Sequence, residues 1–147
     1  MNSKPITPLT HALIDYAFSA VQILGPTVLG LDQKTIKTYA EIGASFLAVN
    51  SITDTGAAIQ PVIDMETHKK IDSGFLVAQA LMTFTPMVRK NKKTLIFHLG
   101  FLALTAANYF LTDYKKPGPT GPLESVGEDL HKGDNAALSS TASAAAV

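Results

Sequence analysis

The sequence predicts an all-α fold: a four-transmembrane-helix bundle from a duplicated helical hairpin, followed by a flexible C-terminal tail. Three observations point there: long uncharged apolar stretches, an internal repeat, and an abrupt change of composition after residue 114. Charged residues make up 16% of the 147-residue chain, against roughly 25% in ordinary soluble domains. Those present are bunched, so residues 16–31, 73–88 and 94–112 contain none. A water-soluble bundle helix carries polar and charged residues along its outer face. These stretches have no such charges, which argues against a conventional soluble enzyme domain.

The elements follow in order. Residues 1–7 form a lead-in, and residues 8–31 the first apolar segment. Pro5, Pro8 and Asp15 argue against a cleaved signal peptide, so this segment is expected to stay as the first membrane helix. The second runs over 38–63 and closes the first hairpin, 8–63. The third and fourth run over 68–88 and 94–114, inside a second hairpin at 64–114. At about 1.5 Å per residue, the uncharged stretch 94–112 covers about 28 Å, close to the hydrocarbon thickness of a bilayer. The breaks hold Gly30 with Asp32, Gln33 and Lys34, then Gln60, Pro61, Asp64 and Glu66, then the basic turn 89–93. From residue 115 the chain turns to Lys, Gly, Pro, Ala and Ser. With few bulky apolar residues to offset its ordering entropy, the tail 115–147 is predicted to be disordered.

Thr10, His11, Ile14, Asp15, Phe18, Gln22 and Leu24 recur as Thr67, His68, Ile71, Asp72, Phe75, Gln79 and Leu81, at a constant offset of 57. The same offset carried into the second helix of each unit pairs Glu41 with His98 and Thr55 with Thr112. Two helices per unit make the repeats parallel rather than inverted.

At about 100° per residue, His11, Asp15, Phe18 and Gln22 share one helix face, and His68, Asp72, Phe75 and Gln79 share another. A lipid-facing surface needs only hydrophobicity, so the repeated stripes are expected to face the bundle interior. Polar side chains in hydrocarbon are expensive and are usually paired there. His11, Asp15, Gln22, His68, Asp72, Gln79, Glu41 and His98 are therefore the candidate polar cluster. Three readings apply to it. In a structural one, Thr10 and Thr67 are N-caps and the His and Asp side chains bond neighbouring helices. In a second, the cluster relays protons or ions. In a third, His11, Asp15, His68 and Asp72 hold a metal or haem, although their spacing matches no familiar metal motif. Asn50, Thr53 and Asp54 are expected to hydrogen-bond across an interface that small residues such as Gly43 draw close.

With twelve basic and twelve acidic residues, the chain shows no basic face for nucleic acid. It has no cysteine, hence no thiolate nucleophile or Cys-type metal site. No phosphate loop or nucleophile elbow occurs, so no catalytic residue is assigned and the cofactor is unknown.

The repeated His-x-x-x-Asp opening at His11–Asp15 and His68–Asp72, with Pro26 and Pro86 towards the segment ends, resembles the small four-helix membrane proteins of the SPW-repeat type. Here Gly25-Pro26-Thr27 and Thr85-Pro86-Met87 stand where that family has Ser-Pro-Trp. The resemblance implies an architecture and no activity.

The expected function is that of a small integral membrane protein of structural or accessory-subunit type, without catalytic activity. Proton, ion or metal handling by the His/Asp cluster is the alternative. Expected partners are the lipid bilayer and other membrane subunits or a second copy. The basic turn 89–93 predicts both termini outside the cytoplasm.

Overall fold

The computed structural model describes residues 4–115. Among these the chain is all-helical: α1 (Pro8–Val28), α2 (Gln33–Ser51), α3 (Met65–Met82), α4 (Pro86–Arg89) and α5 (Lys92–Leu111). The predicted tail, 115–147, lies outside the described residues but for Lys115.

Each long helix starts at a side-chain cap that satisfies first-turn N–H groups. Thr7 accepts from the Thr10 amide ahead of α1, with Pro8 at the first helical position. Asp32 accepts from Thr35 ahead of α2, Asp64 from Thr67 ahead of α3, and Asn91 from Lys93 and Thr94 ahead of α5. Thr10 and Thr67 are thus the residues being capped, not the caps. α1 ends with Gly30 at φ 63°, where Leu31 N–H reaches Pro26 O and Gly30 N–H reaches Thr27 O. That is a Schellman stop.

Two segments end earlier than the hydropathy pattern implies. α2 stops at Ser51, and the rest of the expected segment, to residue 63, is a turn-rich crossing with Gly56 at φ 78°. α3 stops at Met82, because Pro86 cannot continue a helix and instead opens α4 after Thr85. Apolar composition had merged these corners with the helices beside them.

The extra corner also shifts the repeat. Between α1 and α3 the offset is 57, but between α2 and α5 it is 59. The caps Asp32 and Asn91 correspond, as do the fully buried Thr35 and Thr94, and Thr53 and Thr112. Backbone pairing repeats in the same register: Ile6 bridges Thr112 as Ile63 bridges Thr53. Asp113 N–H donates to Ile6 O just as Asp54 N–H donates to Ile63 O, both at 2.9 Å. The lead-in of each unit therefore docks on the exit of the other unit's second helix. The duplication is real, and the register expected for the second helices is corrected by two residues.

The two hairpins pack differently. A Cβ on Gly43 of α2 would lie 2.9 Å from Ser19 O and from Gln22 Cβ on α1, so the first pair approaches at backbone distance. In the second pair, Leu102 and Leu76 stand at the positions of Gly43 and Ser19, and α3 and α5 pack less closely than α1 and α2.

The interior is rich in polar side chains, and much of the exterior is apolar. His11, Asp15, Gln22, Asn50, His68, Asp72, Gln79, His98 and Asn108 are buried, whereas Val28, Phe84, Phe110 and Ile96 are 83%, 72%, 64% and 62% exposed. By length and composition, α5 alone among the described helices is long and apolar enough to cross a membrane. α2 and α3 begin with Lys34, Lys37 and Glu41, and with Glu66, Lys69 and Lys70, which lower their mean hydropathy.

Candidate metal centre

The opening turns of α1 and α3 bring His11, Asp15, His68 and Asp72 into one buried cluster, with one ligand-capable atom from each lying within 4.8 Å of all the others. The i, i+4 spacing puts His and Asp on one face of each helix, and the pseudo-twofold relation turns the two faces together. His11 Nε2 lies 3.2 Å from His68 Nε2, 3.1 Å from Asp15 Oδ2 and 3.0 Å from Asp72 Oδ2. His68 Nε2 lies 3.3 Å from Asp15 Oδ2 and 3.2 Å from Asp72 Oδ2.

The outer nitrogens fix the tautomers. Thr112 gives its one hydroxyl proton to Asn108 O at 2.6 Å, so His11 Nδ1–H donates to Thr112 Oγ1 at 2.8 Å. Thr53 gives its proton to Val49 O at 2.7 Å, so His68 Nδ1–H donates to Thr53 Oγ1, also at 2.8 Å. Each histidine is oriented by a threonine from the other repeat unit, and each ring, when neutral, presents a bare Nε2 to the centre. Two lone-pair nitrogens and two carboxylate oxygens converge on one point. Four acceptors facing one another in a dry interior are unfavourable unless protons or a cation lie between them.

Outer contacts hold the carboxylates. Asn108 Nδ2–H donates to Asp15 Oδ1 at 2.8 Å, and Tyr114 O–H donates to Asp72 Oδ2 at 3.1 Å. The Tyr114 ring lies edge-on to His11, with centroids 5.2 Å apart. Asp72 Oδ1 has no partner. Asp72 lines a small cavity of about 20 Å³, together with His11, Asp15, Gln79, Asn108 and Tyr109 and with Phe46, Leu76 and Thr105.

The other expected residues do not join the four-residue centre, although Gln79 lines the cavity beside it. Gln22 and Gln79 are buried on the predicted stripe, but their amides make no hydrogen bond. Glu41 is exposed and faces Lys37 at 3.9 Å, so it is not part of the cluster. At the corrected register His98 corresponds to Tyr39, and these two repeat mates meet: Tyr39 O–H donates to His98 Nδ1 at 2.6 Å. His98 Nε2–H donates to Gln79 O at 2.9 Å. Asn50 does bond across the helix pair, through Nδ2–H to Ala12 O, whereas Asp54 is exposed. The sequence reading missed Thr112, Asn108 and Tyr114, and it missed that Thr53 orients His68. The repeat would have singled out the two threonines had its register been 59 in the second helices.

No family model, curated protein or solved structure matches this chain.

Proposed function

We propose that the protein is a small four-span membrane protein whose centre binds one divalent transition-metal ion through His11 Nε2, His68 Nε2, Asp15 Oδ2 and Asp72 Oδ2. The observation that carries this reading is the set of five donor–donor distances between 3.0 and 3.3 Å. In a tetrahedral site with bonds of about 2.0–2.1 Å, neighbouring ligand atoms stand about 3.3 Å apart. Calcium, with bonds of about 2.3–2.6 Å and a preference for oxygen alone, fits neither the distances nor the two imidazoles. Two neutral imidazoles and two carboxylates carry two negative charges, so a divalent ion makes the centre neutral. Neutrality matters most where the surroundings are apolar. The threonine bonds to both Nδ1 atoms match the outer-shell support that metal-bound histidines receive.

The membrane half of the reading rests on the inverted distribution of polarity. Fully buried Gln, Asn, His and Thr side chains beneath exposed Val, Ile, Leu and Phe suit a hydrocarbon solvent. The repeated opening supports an architecture of the SPW-repeat type, with the chain serving as an accessory subunit. The basic turn 89–93 supports both termini lying outside the cytoplasm, and protease access to the tail in intact cells tests this.

Protons can also fill the centre. A proton shared across the 3.2 Å between His11 Nε2 and His68 Nε2 favours proton handling as the second reading. Metal analysis of protein purified in mild detergent separates the two. About one zinc-like ion per chain, lost in His11→Ala, is expected. Metal-free protein that takes up none on titration with Zn²⁺ or Co²⁺ would leave the proton reading.

A further inference from the structure

The centre has five close edges and four protein ligands. Its carboxylates accept from Asn108 and Tyr114. Against three of the ligand residues, His11, Asp15 and Asp72, lies the cavity of about 20 Å³, above the roughly 10–15 Å³ that one water molecule needs. Three of the residues bounding it, Asp72, Gln79 and Asn108, are more than nine-tenths buried. Each turns at least one unpartnered polar atom to the interior: Asp72 Oδ1, Asn108 Oδ1, and both ends of the Gln79 amide.

We infer, resting on the metal-binding reading above, that the ion carries a fifth, exchangeable ligand in this cavity, and that this ligand is a neutral hydrogen-bond donor, water in the resting protein. The unpartnered set decides the chemical class. It contains three acceptor oxygens against one donor nitrogen. A metal-bound water has two O–H groups to give and its lone pair committed to the metal, so it matches that set. An anion does not: it would meet the Asp72 carboxylate oxygen at close range and give a neutral centre a net negative charge in an apolar environment. The site is therefore open, like metal centres that keep one position for an exchangeable ligand, and selective for small protic molecules over anions.

The repeat supplies an internal control. Gln22 and Gln79 are repeat mates, both buried, both with unpartnered amides, yet only Gln79 bounds the cavity. Replacing either by Met keeps the length of the side chain and removes its hydrogen bonding. The test loads the full chain, in detergent, with Co²⁺ and records pulsed electron–nuclear double resonance in ¹⁷O-enriched water, alongside the visible d–d absorption. A directly bound ¹⁷O coupling and a weak five-coordinate absorption are expected for the wild type and for Gln22→Met. In Gln79→Met the coupling is expected to fall at least twofold while Co²⁺ still binds. Added azide is expected to leave the spectrum unchanged. A wild-type centre that binds Co²⁺ but shows no ¹⁷O coupling and an intense tetrahedral absorption overturns the fifth ligand and leaves the metal site standing. A coupling that Gln79→Met leaves unchanged removes Gln79 from the site, and a spectrum shifted by azide overturns the selectivity. Failure of Co²⁺ to bind at all overturns the metal reading and this inference with it.

Discussion

Two buried histidine regions stand in the same polar interior, and they differ in complementarity rather than in burial. His98 has a donor opposite its acceptor nitrogen and an acceptor opposite its donor nitrogen: Tyr39 O–H at 2.6 Å and Gln79 O at 2.9 Å. It asks for nothing more. His11 and His68 are just as buried, but their Nδ1–H groups are spent on Thr112 and Thr53, and their Nε2 nitrogens face each other and two carboxylates. A closed hydrogen-bond circuit is a strut between helices. The convergence of four polar atoms at His11, Asp15, His68 and Asp72 is, on the proposed reading, a socket for a positive charge. Burial of an ionisable side chain therefore does not by itself separate a structural histidine from a functional one.

The largest effects are expected at the socket. Asp15→Asn should fold, since the amide keeps the shape and can still bond, but it removes one charge and should weaken metal binding by well over 100-fold in a Zn²⁺ titration. Asp15→Leu should lose the metal and also destabilise, because its partners are stranded in a dry interior. That costs about 1–3 kcal/mol per unsatisfied group, reduced towards about 0.6 kcal/mol per coupling where the unfolded chain stays in the membrane. Thermal unfolding in detergent measures it. Equal stability of Asp15→Leu and wild type would mean that the repeated face is not a packed cluster.

Next come the threonines. Thr112→Val and Thr53→Val keep the volume and remove the acceptor for Nδ1–H. Loss of such outer-shell partners typically costs 10–100-fold in metal affinity. The two variants should behave alike, because the repeat gives them equivalent roles. An effect at only one of them would break the symmetry on which the socket reading stands.

Tyr39→Phe is the complementary test at the strut. It leaves His98 Nδ1 buried without a donor, at about 1–3 kcal/mol, and should lower the unfolding temperature while metal stoichiometry stays at that of the wild type. Loss of metal in Tyr39→Phe would erase the distinction between the two histidine regions.

The smallest effect belongs to the exposed caps. Hydrogen bonds from the Thr35 side chain and amide hold the Asp32 carboxyl below its ordinary range, and the Thr67 amide and hydroxyl do the same for Asp64. A carboxyl depressed on folding stabilises the fold above its ordinary pKa, and that contribution fades as pH falls through the depressed value. Asp64→Ser keeps a cap that does not titrate. It should flatten the acid side of the unfolding curve slightly without touching metal content, which separates acid effects at the surface from proton competition at the centre.

Much of this was legible in the chain because the repeat preserved it. His11, Asp15, His68 and Asp72 were found from periodicity, since residues at i and i+4 share a helix face whatever the helix packs against. The repeat did not reveal Glu41 as an outsider. One added corner between α3 and α5 moved the register from 57 to 59, and a constant offset then named the wrong mate for His98. Thr112, Asn108 and Tyr114 went unread because their partners lie up to 101 residues away in sequence, and nothing local marks a threonine whose proton is already given away. The apolar runs likewise overstated α2 and α3, because hydropathy does not register the turn at Gly56 or the break before Pro86.

By itself the sequence determined the helical class, the duplication, the apolar exterior and the pair of His-x-x-x-Asp faces, all of which follow from composition and from the fixed geometry of a helix. Tertiary structure alone decided that the two faces meet within 3.3 Å, that each histidine is oriented by the other unit's threonine, and that His98 is sealed off with Tyr39. Those outcomes depend on how separate helices are rotated and spaced against one another. That is set by the approach at Gly43 and by the pairing of each lead-in with the far helix exit, neither of which a pattern along a single helix encodes.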